Sequence, residues 1–340
     1  MYVVLAGHSL FQIDLMDLKF LGQVRGWKCG VGRHVYNFLL DGESVQLSDS
    51  VCRAGADHQV LDFQSTSVKF EEQPIDCPRE NCFCGFDLGI PKGRTKSDLV
   101  ELKDRFNRLS PERSSELPFY TGGTEVTAYG LDGFLREQMI HVEWYLGKRC
   151  NFDCSYCPPS IHDKVSPFPS RERLANAYSF LLRTILESND LSGKVLDFIF
   201  HGGEPTLVPG FLDLLNKIRS DARFVSQVQT LTNFSRNVEY LYELNQASDL
   251  TYSVHLEYMS EDFLKKLANF LDSRDATSRN FAVKVMYLKE HRVWVSRIFE
   301  VLKQHPGIHF SVNPLHNKKD KLLYQYDEED RAFFKLSGVT

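Results

Sequence analysis

The sequence has no apolar run that approaches the ~20 residues needed to span a bilayer. Its first residues, Met1 to Ala6, are apolar but too few for a signal peptide, and no basic flank precedes them. Positive charge is also not in excess, since 40 Lys and Arg face 45 Asp and Glu, a net charge of −5. Bulk electrostatic binding of nucleic acid is therefore not expected. These absences predict a cytoplasmic protein that does not enter a membrane and does not bind nucleic acid mainly by bulk charge, although a local basic patch remains possible.

The overall composition excludes a disordered chain. Hydrophobic residues make up 42% and charged residues 25% of the sequence, which are ordinary values for globular proteins. At ~150 residues per domain, a length of 340 residues predicts two domains.

Eight cysteines are the unusual feature of the composition. In a reducing compartment they are not expected to form disulfides, which leaves metal binding or catalysis as the leading explanation. Core thiols scatter along a chain, whereas these fall into two groups and none follows Cys157. The groups are Cys29, Cys52, Cys77, Cys82 and Cys84, then Cys150, Cys154 and Cys157.

From about residue 138 the sequence alternates between short apolar runs and amphipathic segments. The pattern predicts six strands joined by helices, and right-handed crossovers would make the sheet parallel with helices outside. Six βα units are fewer than a closed barrel needs, so the predicted fold class is α/β, a partial (βα)6 TIM-like barrel. The predicted strands are His141–Leu146, Lys194–Phe200, Gln227–Thr232, Leu250–His255, Phe281–Leu288 and Ile308–Val312.

The first 120 residues have a different character. Short strand-like runs at Val35–Leu40, Gln59–Phe63 and Ser67–Phe70 are broken by Gly and Asp, and no helix is evident before Asp98. Proline, glycine and charge coincide in a connector after Ser110. We therefore predict a small, irregular, mostly β cysteine-rich domain at 1–120 and the partial barrel at 121–340.

Cys150, Cys154 and Cys157 directly follow the first predicted barrel strand with C-x3-C-x2-C spacing. Three thiolates can hold three corners of a cubane iron–sulfur cluster and leave one iron open to a small chelating molecule. A structural zinc site would need a fourth ligand, for which His162 is a weak candidate. The spacing therefore favours a 4Fe–4S cluster.

A second motif, Gly202-Gly203-Glu204-Pro205, ends the next predicted strand. Two glycines let the backbone approach a ligand closely, and a carboxylate can accept hydrogen bonds from an ammonium group. Together the two motifs resemble those of the radical S-adenosylmethionine (SAM) superfamily, in the order found there and one βα unit apart. The resemblance covers about residues 138–315.

The resemblance implies two cofactors, a 4Fe–4S cluster on the three cysteines and SAM on its open iron. It implies that Gly202, Gly203 and Glu204 receive the methionine amino group of SAM, and that Tyr156 lies near the adenine. One electron, from a donor such as flavodoxin or ferredoxin, would cleave SAM to methionine and a 5′-deoxyadenosyl radical that abstracts hydrogen from an unactivated C–H bond.

Further SAM contacts are implied at the next two strand ends, where ligands sit in open α/β sheets. Asn233, Ser253 and His255 lie there. Family members commonly carry Asn-Gly and Ser-x-Asp-Gly at these places, but this chain has Asn233-Phe234 and Ser253-Val-His255-Leu-Glu257. His255 and Glu257 could therefore face SAM, face the substrate or cap the next helix.

The N-terminal cysteines resemble a SPASM or twitch auxiliary-cluster module, although such modules usually follow the barrel. We expect Cys29, Cys77, Cys82 and Cys84 to bind a second iron–sulfur cluster or zinc, with Cys52 as an alternative ligand. A thiol that donates hydrogen to a substrate radical is a third reading.

The sequence thus predicts a radical SAM enzyme that acts on a peptide, a protein side chain or a sugar-like small molecule. Two alternatives remain at this point. One is modification of tRNA or a nucleobase, and the other is a non-catalytic electron-transfer or zinc-scaffold protein.

Overall fold

The computed structural model describes residues 1–14, 17–18, 24–30, 35–41, 44–48, 59–61, 75–77, 90–157, 162–189, 191–275, 277–315, 325–336 and 338–339. The chain divides into two compact units. The first unit consists of Met1–Phe38, Glu43–Glu143 and Ser179–Asp197, and the second of Leu39–Gly42, Trp144–Tyr178 and Phe198–Thr340. The domain boundary predicted near residue 120 stays a prediction.

The strands are β1 (Tyr2–Ala6), β2 (Ser9–Ile13), β3 (Lys28–Cys29), β4 (Val35–Asp41), β5 (Ser44–Ser48), β6 (Gln59–Leu61), β7 (Ile75–Asp76), β8 (Lys92–Gly93), β9 (Val126–Leu131), β10 (Met139–Tyr145), β11 (Val195–His201), β12 (Val225–Thr232), β13 (Asp249–His255), β14 (Phe281–Met286), β15 (His309–Asn313) and β16 (Gly338–Val339). The helices are α1 (Lys96–Asn107), α2 (Pro111–Ser115), α3 (Asp132–Leu135), α4 (Arg171–Ser188), α5 (Phe211–Arg219), α6 (Val238–Ala247), α7 (Glu261–Ser273), α8 (Val293–Leu302) and α9 (Glu328–Phe334).

The first unit is built on an antiparallel sheet with the strand order β2-β1-β9-β8-β3-β7. Both faces of β1 are covered: Val3 and Leu5 pack in a cluster with Leu102 and Phe106 of α1, whereas Val4 and Ala6 belong to a second apolar cluster. A strand that is buried on both sides is a continuous apolar run, which is the pattern of β1.

Helix α1 begins two residues before Asp98, because Thr95 and Asp98 form a capping box in which each side chain accepts the other's backbone N–H. The connector predicted after Ser110 contains the short helix α2, with Ser110 as its N-cap and Pro111 in its first turn. The strand-like runs predicted at Val35 and Gln59 correspond to β4 and β6. The run at Ser67–Phe70 lies outside the described residues.

Two of the N-terminal cysteines are described, and both are buried in the same apolar cluster. Cys29, in β3, and Cys77, just after β7, are each 2% exposed and share the cluster with Val4, Ile90 and Tyr129. The backbone N–H of Cys77 donates to the carbonyl of Trp27 at 2.8 Å. Cys52, Cys82 and Cys84 lie outside the described residues. A second metal module therefore stays a prediction.

A buried charged group occupies β10 and β11 in the first unit. His141 Nδ1 lies 2.8 Å from Asp197 Oδ2, and His141 Nε2 lies 3.4 Å from Glu143 Oε1. Burial alone would lower the pKa of His141, but the hydrogen bonds and charges of the two carboxylates outweigh it and raise the pKa to about 9. His141 is therefore an imidazolium at neutral pH, paired on both sides.

This pKa predicts how stability depends on pH. Because the pKa of His141 rises from 6.5 to about 9 on folding, its contribution is complete below pH 6.5 and is lost as the pH rises through 9. At ~1.4 kcal/mol per pKa unit, we expect at most about 3 kcal/mol of unfolding free energy to disappear across this window. Urea unfolding between pH 6 and 10 measures it. In His141→Gln the part of the slope that His141 causes should be absent, so stability should fall less between pH 6.5 and 9 than in the wild type, and an unchanged slope would contradict the assignment.

The strands that lie wholly in the second unit have the order β16-β15-β14-β13-β12, and their sheet is open. Strands β12 to β15 pair in parallel, and β16 is added antiparallel to β15. The six predicted strands are present within two residues of their predicted bounds, and the side chains of Ser170 and Ser260 cap α4 and α7. The predicted α/β fold, a partial TIM-like barrel, is confirmed.

The two faces of the barrel strands differ in burial. Along β13, Leu250, Tyr252 and Val254 are buried, while Ser253 and His255 between and beyond them are only half-buried. The same alternation occurs in β14. The face that carries Ser253 and His255 is left partly open. That face is the one available to a ligand.

Within the described residues, no helix has both the length and the apolar character needed to cross a membrane.

Candidate functional site

The cysteine loop, residues 149–157, follows β10 and is anchored where it begins. Cys150 N donates to the carbonyl of Asp163, and Asp163 N donates to the carbonyl of Lys148, each at 2.8 Å. Within the loop, Phe152, Cys154 and Tyr156 are buried, and the residues between them are exposed. The loop thus presents alternate side chains to the protein interior.

The strand end after β11 packs directly on the base of this loop. Gly203 N donates to Gly147 O at 2.9 Å, and Glu204 N donates to Arg149 O at 3.0 Å. A Cβ added to Gly203 would lie 2.1 Å from Arg149 O, and one added to Gly202, whose φ is +126°, would lie 2.5 Å from Gly147 O. The space that the two glycines leave is filled by the backbone of the cysteine loop. Their predicted contact with SAM stays a prediction.

Glu204 is 2% exposed and holds three neighbours through its carboxylate. Oε1 accepts hydrogen bonds from Thr206 N at 3.2 Å, Thr206 Oγ1 at 2.5 Å and Thr232 Oγ1 at 2.7 Å. Oε2 accepts from Asn233 N at 2.7 Å. Burial raises the pKa of Glu204, and these hydrogen bonds oppose the rise. The carboxylate therefore connects the ends of β11 and β12.

Asn233 continues this connection to the cysteine loop. Its Nδ2 lies 2.8 Å from Asn151 Oδ1 and 3.7 Å from Cys150 Sγ. Sequence analysis implied that Asn233 contacts SAM, and the structure places its side chain beside the first cysteine. Amide N–H groups near cysteine sulfur are among the features that tune iron–sulfur clusters.

The residue after Asn233 adopts a backbone conformation that favours glycine. Phe234 has φ +63°, a region that glycine adopts without steric cost. Its ring is fully buried, stacked on Tyr252 with ring centroids 4.5 Å apart and packed edge-on against Phe270 at 5.1 Å. A left-handed non-glycine residue costs ~1–2 kcal/mol, and burial of a phenylalanine ring offsets about that much. The turn conformation is thus kept by packing rather than by glycine.

His255 lies at the end of β13 and faces the cysteine loop. Its Nδ1 is 2.6 Å from Tyr156 Oη and 3.3 Å from Cys154 Sγ. Burial lowers the pKa of His255 to about 4 and raises that of Tyr156, so both side chains are neutral at pH 7 and share a hydrogen bond whose donor is set by the imidazole tautomer. Of the three roles left open by the sequence, capping of the next helix is filled by Ser260, whose side chain accepts from Phe263 N at the start of α7.

Two contacts with the cysteine loop were not predicted from the sequence. In the 3₁₀ turn Leu256–Tyr258, which we call the clamp turn, Tyr258 Oη accepts from Asp153 N at 2.7 Å and Glu257 Oε2 accepts from Ser155 N at 2.8 Å. The Tyr258 ring also stacks on Phe152, with centroids 4.1 Å apart and planes 3° from parallel. The only sequence signal is the position of these residues at a strand end.

The three cysteines lie in apolar surroundings. Cys154 belongs to a buried cluster with Phe152, Tyr156 and Leu315, against which Cys150 and Cys157 pack. Burial raises the pKa of Cys150, and burial together with nearby negative charge, from Cys157 first, raises that of Cys154 to about 12. A bound metal removes the thiol proton outright.

The fit of this site to a cluster follows from its donor set. No three His, Cys, Asp or Glu side chains of the described ranges converge on one point as the ligands of a single metal ion do. A cubane has a different requirement, because each thiolate binds a separate corner. Three sulfurs on one loop, backbone and amide N–H groups beside Cys150, and an apolar shell fit such a group.

The fold and the site define an α/β protein with a cysteine-loop cofactor site at the carboxyl ends of its strands. Residues 144–316 match the sequence family described as the radical SAM superfamily, which is half of the chain. The chain therefore belongs to the radical SAM superfamily, a class of enzymes whose cofactors are a 4Fe–4S cluster and SAM. No curated protein matches the chain.

Several solved structures are similar over part of the chain. Native anSMEcpe with bound AdoMet and Cp18Cys peptide is 18% identical, with 57% of this chain and 56% of that one covered and a TM-score of 0.40. Streptococcus suis SuiB bound to precursor peptide SuiA is 15% identical, with 71% and 58% covered and a TM-score of 0.41. An archaeal TYW1 is 14% identical, with 46% and 61% covered and a TM-score of 0.29. The chain thus spans between half and two thirds of the length of these proteins.

Proposed function

We propose that this chain cleaves SAM reductively and uses the product radical to abstract hydrogen from a peptide, a protein side chain or a sugar-like small molecule. Cys150, Cys154 and Cys157 bind the cluster. Glu204 and the strand ends beside it bind the methionine part of SAM.

The observation that carries this proposal is the direct connection between the two motifs. The Gly202-Gly203 strand end is hydrogen-bonded to the base of the cysteine loop, and Glu204 reaches Asn233, which in turn lies beside Cys150. Two motifs related only by sequence order would not need these contacts. A site that must hold a cluster and a chelating ligand side by side does need them.

When bound, the 4Fe–4S cluster supplies the electron that cleaves SAM to methionine and a 5′-deoxyadenosyl radical, and this radical takes a hydrogen atom from the substrate. The chain's own contribution is to bind and orient. In the described part of the chain, Glu204 Oε2 accepts one hydrogen bond, so a lone pair remains for an ammonium group. The apolar cluster around Cys154 excludes water.

Two features of the chain support a peptide or sugar-like substrate. The partly open face of β13 and β14 carries polar and flexible side chains, among them Ser253, Lys284 and Met286, at the strand ends where ligands bind. The N-terminal cysteines resemble an auxiliary module that accompanies peptide- and sugar-modifying members of the family. We further propose flavodoxin or ferredoxin as the electron donor.

The decisive experiment is anaerobic reconstitution with iron and sulfide, followed by dithionite and SAM. We expect release of 5′-deoxyadenosine from the wild-type chain and none from the Cys150→Ala/Cys154→Ala/Cys157→Ala variant, because the open iron is lost with its ligands. Chromatography of the products measures this. A wild-type chain that holds an intact cluster and releases no 5′-deoxyadenosine would refute the proposed function.

Two extensions address the substrate and the N-terminal cysteines. A deuterated peptide substrate should transfer deuterium into 5′-deoxyadenosine, and a non-substrate peptide should not. Iron and sulfide should fall by one cluster, not to zero, in the triple-alanine variant if the N-terminal cysteines bind iron. Loss of all iron, with zinc retained, would favour zinc at those cysteines.

A further inference from the structure

We propose that the clamp turn positions the cysteine loop, with Glu257 and Tyr258 holding its backbone in the ligand-binding conformation and the charge of Glu257 lowering the reduction potential of the bound cluster. This inference rests on the proposed function, since it concerns the same site. It assigns a role to two side chains through their contacts with the backbone and the Phe152 ring of the loop.

The need for such a clamp follows from the backbone of the loop. Residues 150–157 belong to no helix or strand, so their N–H groups require partners elsewhere. At the two ends of the loop, backbone carbonyls accept these hydrogen bonds. Cys150 N donates to Asp163 O, and Cys157 N donates to Cys154 O at 3.0 Å. In the middle of the loop, no backbone carbonyl of the described residues accepts a hydrogen bond from Asp153 N or Ser155 N.

The clamp turn provides the hydrogen-bond acceptors for the middle of the loop, although the paired residues are 102 and 105 positions apart in the sequence. Tyr258 accepts from Asp153 N, and Glu257 accepts from Ser155 N, so the two amides that flank Cys154 are both held by side chains. The stacked rings of Phe152 and Tyr258 add a third contact. The position of Cys154 is therefore determined on both sides by one turn.

The charge of Glu257 acts in addition to its hydrogen bond. Glu257 Oε2 accepts at 2.8 Å from the backbone N–H of Ser155, the residue directly after Cys154, so its negative charge lies beside the loop that binds the cluster. The same negative charge opposes the addition of an electron nearby, which lowers a reduction potential. Glu257 thus combines two effects that different substitutions can separate.

The substitutions are Glu257→Ala, which removes both the hydrogen bond and the charge; Glu257→Gln, which keeps an acceptor oxygen and removes the charge; and Tyr258→Phe, which keeps the ring stacked and removes the acceptor. Glu290→Gln is the matched control, because Glu290 is an exposed glutamate in the corresponding turn after β14.

The first measurement is hydrogen–deuterium exchange of the peptide that spans residues 150–157 in the full-length, metal-free, reduced chain. We expect exchange about tenfold faster in Glu257→Ala and in Tyr258→Phe, near wild-type exchange in Glu257→Gln, and no change in Glu290→Gln. The isosteric Glu257→Gln and Tyr258→Phe variants keep the test valid if Glu257→Ala does not fold. Wild-type exchange in both Glu257→Ala and Tyr258→Phe would overturn the positioning role.

The second measurement is the midpoint potential of the reconstituted cluster, followed by electron paramagnetic resonance. We expect a less negative potential in Glu257→Gln and an unchanged one in Glu290→Gln. An unchanged potential in Glu257→Gln would overturn the role of the charge. Both readouts are independent of SAM cleavage, so a chain that releases no 5′-deoxyadenosine yet shows these effects would refute the proposed function and leave the clamp standing.

Discussion

Gly203→Ala is expected to reduce SAM cleavage by about 100-fold or more and to lower the free energy of unfolding by about 3 kcal/mol. The added Cβ would lie 2.1 Å from Arg149 O and 2.5 Å from Lys148 O, and both atoms are backbone. No side-chain rotation can relieve such contacts, so the strand end and the cysteine loop must separate. That separation stretches the hydrogen bonds from Gly203 N and Glu204 N and displaces Cys150, and a displacement of ~1 Å in a site can cost 100-fold in rate.

The matched control is Gly307→Ala. Gly307 has φ +87° and no atom within 4 Å of its added Cβ, so only the left-handed backbone is penalised, by ~1–2 kcal/mol. SAM cleavage per folded chain should remain at the wild-type level. Thermal unfolding and 5′-deoxyadenosine release measure the two effects. If Gly203→Ala matches Gly307→Ala in both thermal unfolding and 5′-deoxyadenosine release, the close packing of the two motifs is not what holds the site together.

Substitution of Glu204 is expected to separate stability from SAM binding. Glu204→Ala leaves the donors of Thr206, Thr232 and Asn233 without their buried acceptor, and each such loss costs ~1–3 kcal/mol, so we expect at least about 3 kcal/mol in unfolding free energy. Glu204→Gln keeps one acceptor oxygen but removes the charge. If the oxygen of the glutamine amide faces Thr206 and Thr232, its NH₂ group faces Asn233 N, so two hydrogen-bond donors meet there.

For Glu204→Gln we expect a smaller loss of stability and a Kd for SAM that rises about 10- to 100-fold, because a hydrogen bond to a charged group contributes ~1.5–3 kcal/mol. Calorimetric titration of the reconstituted protein with SAM measures this. Glu243→Gln, at an exposed position of α6, is the control and should bind SAM like the wild type. Wild-type SAM affinity in Glu204→Gln would mean that the amino group of SAM is held elsewhere.

Sequence patterns were sufficient for the barrel because its elements carry local signals. Apolar runs mark the strands, and Ser170 and Ser260 mark helix starts by their capping side chains. The bounds shifted by one or two residues, as in β11, which begins at Val195 rather than Lys194. Such shifts reflect where hydrogen bonding to a neighbouring strand starts, which no single segment encodes.

The N-terminal strands were harder to predict. The continuous apolar run of β1 does not alternate, because both of its faces are buried. Its partner β9 contains Ala128 and Gly130, which are poor strand formers, and it pairs with β1 across more than 120 residues of sequence. Only the tertiary contacts identify these strands.

The residues of the site also fall into two groups: sequence spacing identifies one group, and only tertiary contacts identify the other. Spacing alone pointed to Cys150, Cys154 and Cys157 and to the glycine motif after β11, because both are contiguous in sequence. Glu257 and Tyr258 meet the loop through contacts between distant segments, and no spacing rule reports these. For His255 the sequence left three roles open, and its contact with Tyr156 was visible only in the structure.

The left-handed turn at Phe234 ties the cofactor edge of the barrel to its hydrophobic interior. The same residue whose backbone orients Asn233 toward Cys150 has its ring packed against Phe270 of α7 and Phe281 of β14. A glycine at this position would make the turn independent of what lies beneath it. Here, Phe270 supports the ring of Phe234, the residue that follows Asn233, and Asn233 lies beside Cys150. The packing of the helix layer and the position of the amide beside Cys150 are therefore coupled through one residue.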